Sequence, residues 1–139
     1  MLLTPKRWKY RKPIIKSLTG KSARWTTVAF WDYGLKATTS DYISNKQIEA
    51  ARKVIVRSIK KVGKIWIRIF PDVPFTKKGL EMPMGTGKGD VDIYTAPVRK
   101  GKVLFEVSGL TEQEAHETLT KAAKKLPVKA RVVAKGEIR

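Results

Sequence analysis

The chain has 139 residues, 42% of them hydrophobic, which is enough for one ordinary domain with a real core. Its 30 Lys and Arg against 12 Asp and Glu leave a formal net charge of +18, an excess that a polyanion such as nucleic acid neutralises with favourable release of counterions. No apolar run approaches the roughly 20 residues of a membrane span, Met1 to Arg11 carry no apolar secretion-signal core, and the absence of cysteine excludes disulfides and thiolate metal sites.

The charge is uneven along the chain. Residues 1–70 hold 17 basic and 3 acidic side chains, net +14, whereas residues 71–139 hold 13 and 9, net +4. Residues 1–25 mix Lys6, Arg7, Lys9, Arg11, Lys12, Lys16, Lys21 and Arg24 with Trp8, Tyr10 and Trp25 and show no clean periodicity. This pattern reads as a basic arm that orders on a partner. Residues 26–30 are apolar and β-branched and read as a strand, closed by a turn over residues 32–34.

A helix is predicted over residues 44–62. Ser44 and Gln47 form a capping-box pair, Ile43 and Ile48 a hydrophobic staple, and Gly63 a stop. Ile48, Ala51, Ile55, Ile59 and Val62 recur at helical spacing as a buried stripe, leaving Arg52, Lys53, Arg57, Lys60 and Lys61 on other faces. Residues 64–70 alternate Ile65, Ile67 and Ile69 against Trp66, Arg68 and Phe70, which argues a strand closed by Pro71 and Pro74, with Trp66 and Phe70 read as core packing. Residues 75–91 collect five glycine or proline breakers among Gly79, Pro83, Gly85, Gly87 and Gly89 and read as a long flexible loop.

Strands follow over residues 92–98 and 103–107, joined by a turn containing Gly101. A second helix starts at Thr111, which pairs with Glu114 in another capping box; Ala115, Leu119, Ala122 and Leu126 form its stripe and Pro127 its stop. Residues 128–134 read as a last strand. The order strand, helix, strand, loop, two strands, helix, strand predicts an α+β fold, with helices on one face of a mostly antiparallel sheet and the whole chain as one domain.

Catalytic chemistry finds little support in the residues. The one histidine, His116, sits beside the stripe of the second helix among Glu112, Glu114 and Glu117, and reads as a solvated boundary residue. The run Gly85-Thr86-Gly87-Lys88-Gly89 invites a phosphate-loop reading, but Gly89 stands where such a loop needs Ser or Thr, and residue 82 is methionine rather than the earlier glycine. By composition it is either a basic loop touching RNA phosphate or an ordinary mobile loop. Basic residues interleaved with aromatics suit RNA, because cations bind phosphates and flat rings stack on unpaired bases. No cofactor and no homo-oligomer are expected.

Several blocks carry a more specific signal: Pro5-Lys6-Arg7, Lys9-Tyr10-Arg11-Lys12, Gly34-Leu35, Gln47-Ile48-Glu49-Ala50-Ala51-Arg52, Gly63-Lys64-Ile65-Trp66-Ile67-Arg68-Ile69-Phe70-Pro71-Asp72, Met84-Gly85, Gly87-Lys88-Gly89, Phe105-Glu106 and Lys125-Leu126-Pro127. In these the chain resembles the bacterial-type protein sixteen of the large ribosomal subunit, a universal family, almost end to end. The resemblance implies an α/β-hammerhead fold and a non-enzymatic role in a bacterial or organellar ribosome, on large-subunit rRNA near the aminoacyl-tRNA site. It further implies support of late subunit assembly and tRNA accommodation, with A-site tRNA, secondarily P-site tRNA, and neighbouring ribosomal proteins as partners.

Carried onto this sequence, the implied rRNA contacts are Lys6, Arg7, Lys9, Arg11, Lys12, Lys16, Arg24, Arg52, Arg57, Lys60, Lys61, Lys64 and Arg68. The implied tRNA-proximal loop comprises Lys77, Lys78, Met84, Gly85, Gly87, Lys88 and Gly89. The chain departs from the family pattern at Trp25 and Trp31, where glycine is usual, in the greasier stretch 13–18, and at Pro83, where many bacterial members carry arginine. A non-ribosomal nucleic-acid binder and a nucleotide-using enzyme are the rival readings.

Overall fold

In the computed structural model, which describes residues 3–59, 61 and 63–137, Ser44 ends a strand and caps a helix at once. Its extended backbone (φ −72°, ψ 155°) lets the hydroxyl accept from the Gln47 N–H, while the Gln47 side chain accepts from the Ser44 N–H. Two otherwise unpaired donors are thereby satisfied, a device whose loss costs about 1 kcal/mol. Helix α1 spans Asn45–Ser58 and buries Ile48, Ala51 and Ile55 completely. Each isoleucine contributes roughly 1.5–3 kcal/mol by leaving water. The helix is shorter than the stripe suggested: Ile59 is its extended C-cap, and Lys60 and Val62 lie outside the described residues.

Helix α2, Glu112–Ala123, repeats the arrangement with Thr111 and Glu114 and buries Ala115, Thr118, Leu119 and Ala122. It stops at Lys124, ahead of Pro127, so Leu126 packs partly buried against the core from the turn beyond the helix.

Among the described residues seven strands accompany the two helices: β1 Tyr33–Ala37, β2 Asp41–Ser44, β3 Lys64–Ile67, β4 Val73–Lys77, β5 Asp90–Val98, β6 Val103–Ser108 and β7 Ala130–Ala134. They form two sheets, in the orders β3-β6-β1-β7 and β2-β5-β4, and every strand pair is antiparallel. The α+β class expected from the sequence is therefore present, with two sheets in place of one. The two helices pack on each other; α2 lies against β1 and β7, and α1 reaches strands of both sheets. Leu35, Ile43, Ile48, Ile55, Phe105 and Leu119 form the centre of one shared core. Among the described residues no helix is long and apolar enough to cross a membrane.

Several expectations need correction. Residues 26–30 form no strand, because the N–H groups of Ala29, Phe30 and Trp31 donate to the Glu106 carboxylate instead of to a neighbouring strand. The turn expected over residues 32–34 gives way to β1, which already begins at Tyr33; β1 and β2 escape sequence reading because both are short, with Lys36 interrupting the apolar residues of β1 and only Tyr42 and Ile43 between Asp41 and Ser44 in β2. Pro74 does not close a strand but lies within β4, an edge strand where its missing N–H costs no ladder bond. The loop expected over residues 75–91 accordingly shrinks to 78–89, with β4 and β5 taking its ends. The strand expected over 64–70 stops at Ile67, although Arg68 N still donates to Leu104 O at 2.9 Å.

Gly63, between α1 and β3, has no room for a side chain where β3 starts to pair with β6. A Cβ there would lie 2.8 Å from Ser108 O and closer still to the Ile59 side chain.

Candidate nucleic-acid interface

The basic arm has no regular structure, and its backbone is tied to the body at a series of points. Leu3 is buried in the core, Trp8 meets Tyr94 edge-on with ring centroids 5.5 Å apart, and the Lys16 carbonyl accepts from the Tyr42 hydroxyl. Further along, Ser22 N donates to Lys100 O at 2.9 Å, and Val103 N donates to Trp25 O at 2.8 Å. These contacts use apolar groups and backbone, so Lys6, Arg7, Lys9, Arg11, Lys16 and Arg24 keep their side chains on the exposed surface.

Lys12 differs from its neighbours. Its ammonium lies 3.2 Å from Asp90 Oδ1 and 3.1 Å from Lys88 O, while Lys88 Nζ reaches back to donate to Pro13 O at 2.8 Å. The base of the glycine loop and the arm are thus one connected surface, although they stand far apart in sequence. Within the loop, Lys78 Nζ donates to Gly85 O at 2.5 Å, and the backbone takes left-handed conformations at Gly85, Thr86 and Gly87. Lys77, Met84 and Lys88 are exposed, and Gly89 fits so closely that a Cβ would lie 2.7 Å from Lys77 O.

On α1 and β3 the expected cations divide by role. Arg57, Lys61 and Lys64 are exposed. Arg52 forms a two-pronged ion pair with Glu49, at 2.8 Å from Nε and 2.6 Å from Nη2, and this guanidinium holds the Glu49 carboxyl at about 2, well below its ordinary 4.5. Arg68 corrects the expectation of a surface phosphate contact, since its side chain is only 5% exposed. It pairs with the fully buried Glu106 at 2.5 Å, donates to Thr27 O at 2.6 Å, and lies within cation–π reach of Trp25 and Phe30. The core packing expected for Trp66 and Phe70 is also overturned, because both rings are half-exposed.

A row of surface cations on an irregular arm, backed by exposed aromatics, can neutralise phosphates and stack on bases. His116 is exposed on α2, and among the described residues no group of three or more His, Asp or Glu could hold a metal ion.

The family described as ribosomal protein L16p/L10e matches residues 5–133. The chain belongs to that family. It is 49% identical over 137 residues to the large ribosomal subunit protein uL16 of Levilactobacillus brevis, covering 99% of this chain and 95% of that one. The uL16 proteins of Kosmotoga olearia and Borreliella burgdorferi are 48% and 46% identical, again over 99% of this chain and over 97% and 100% of theirs.

In this L16p/L10e chain the residue that sequence reasoning passed over is Glu106. It appears only as half of a matched block, yet an acid inside the apolar run Val103-Leu104-Phe105-Glu106-Val107 is itself a signal. A carboxylate in a strand buried on both faces must be partnered. Its partners are Arg68 and the segment that had been assigned to a strand.

Proposed function

We infer that the chain is a structural constituent of the large ribosomal subunit, working on the ribosome in the cytoplasm as an RNA-binding and non-catalytic component of translation. The near-complete family match carries this reading, and the exposed cations of the arm agree with it. The rRNA surface comprises Lys6, Arg7, Lys9, Arg11, Lys16 and Arg24 of the arm together with Arg57, Lys61 and Lys64, with Arg52 available only in part because Glu49 holds it. Lys60 belongs to the same proposal and lies outside the described residues.

The loop with Lys77, Lys78, Met84, Gly85, Gly87, Lys88 and Gly89 is the tRNA-facing part, on the aminoacyl-tRNA side and secondarily toward peptidyl-site tRNA. Its support is an exposed loop with Lys77 and Lys88 exposed at its base, which is clamped to the arm.

Retention on salt-washed large subunits from cell lysate tests the assignment. Stable co-migration with the subunit is expected, and free protein with no subunit-bound fraction would sink it. Charge reversal at the loop base, Lys77→Glu, should slow aminoacyl-tRNA accommodation while leaving subunit incorporation intact. Unchanged accommodation would remove the loop from the tRNA side.

A further inference from the structure

Along β3 and its continuation, alternation sends Ile65, Ile67 and Ile69 toward the core and leaves Lys64, Trp66 and Arg68 on the opposite side. Trp66 is 46% exposed and stacks on Phe30 with centroids 4.9 Å apart and planes within 13°. Beside this stack, Arg68 sits 5.4 Å from the Phe30 ring and 4.9 Å from the Trp25 ring. Together with Phe70 these groups line a groove of about 380 Å³. A row of half-exposed rings around a fixed guanidinium is an unusual use of surface, because exposed aromatics normally bury their area or a partner does.

Two further observations point to an occupant. Trp25 is held at φ +62°, a left-handed conformation natural to glycine, while its ring is 54% exposed. Backbone strain of this kind is retained where the side chain is used. Positive charge lies next to these rings along the chain, because exposed Lys64 stands two residues before Trp66 on β3 and exposed Arg24 directly before Trp25. Flat walls, a guanidinium among them and flanking cations together match a flat group attached to an anionic backbone.

We propose that this groove holds one unpaired nucleobase of the large-subunit RNA, stacked on the Trp25 and Trp66 rings, with its neighbouring phosphates at Lys64 and Arg24. The proposal rests on the ribosomal assignment and adds to it a base-stacking subsite where the end of the phosphate-binding arm meets β3. An apolar segment of a neighbouring protein fits less well, since it would leave both cations unmatched.

The test uses the full-length protein and a short single-stranded RNA carrying a fluorescent aminopurine. Binding should quench the aminopurine, and Trp25→Gly, which relieves the backbone strain and so keeps the fold, should weaken binding roughly ten-fold with the salt dependence unchanged. Trp66→Ala should do the same, while Trp66→Phe, which keeps a ring, should retain most of the affinity. Unquenched emission, or equal affinity in both disruptive variants, overturns the subsite; the ribosomal assignment then still stands if the parent co-migrates with subunits. In assembled subunits, ultraviolet cross-links from the Trp25 or Trp66 peptides should go to RNA, and cross-links to a protein alone would also overturn it.

Discussion

A carboxylate with no exposed surface is unfavourable by several kcal/mol unless charged and hydrogen-bonding partners replace its water. Glu106 gathers three backbone N–H groups from residues 29–31 and the Arg68 guanidinium. It thereby fixes the course of the chain just ahead of β1. Glu106→Ala should lower stability by about 3–5 kcal/mol, read from the urea midpoint, because it leaves a buried guanidinium unpaired. Replacing Arg68 by Met in the same chain should recover much of that loss, and a Glu106→Ala penalty below about 1 kcal/mol would show the pair to be incidental. Glu49 makes a milder case. Because its folded pKa is depressed from 4.5 to about 2, the stability it contributes is complete above 4.5 and disappears as pH falls toward 2. Glu49→Gln should therefore cost under about 1 kcal/mol at neutral pH and flatten the pH dependence of the urea midpoint across that acid window. A slope identical to the parent's would remove Arg52 as the cause.

At the scale of elements, both helix starts were legible because a capping box is a local code: Ser44 with Gln47 and Thr111 with Glu114 need only each other's backbone. The helix ends were less so. Both stripes continue past the last helical turn, and Ile59 and Leu126 pack on the core without being helical. Pro74 misled in the opposite direction, since only its place at a sheet edge makes it acceptable in β4. Gly63 was read as a helix stop, yet its further role is steric. Gly63→Ala should cost about 1–3 kcal/mol because its methyl meets Ser108 O, a backbone atom that cannot swing away. Gly85→Ala, in open space at φ +108°, should cost only the backbone strain, about 1 kcal/mol. Thermal melts of the two variants decide this, and equal losses would rule out the steric account.

For the whole molecule, the arm and the glycine loop form one surface. The sequence suggested separate duties, because more than seventy residues divide Lys12 from Lys88 and Asp90. In the fold Lys12 bridges to Asp90 while Lys88 bridges to Pro13. Loosening one end should therefore loosen the other: Lys12→Ala should speed proteolytic cutting within residues 78–89 as well as in the arm. Loop cutting at the parent's rate would mean that the bridges do not hold the two together. The sequence by itself determined the charge excess, its concentration in the first half, the α+β class, both helix caps and the family, because all of these are written in composition, short-range spacing or contiguous blocks. Only the tertiary structure decided that Arg68 is an interior cation, that Trp66 and Phe70 face outward, that two sheets share the core, and that residues 26–31 follow a carboxylate rather than a strand. Each of these depends on which distant group arrives to satisfy a charge, a ring or a backbone N–H, and local spacing carries no record of that arrival.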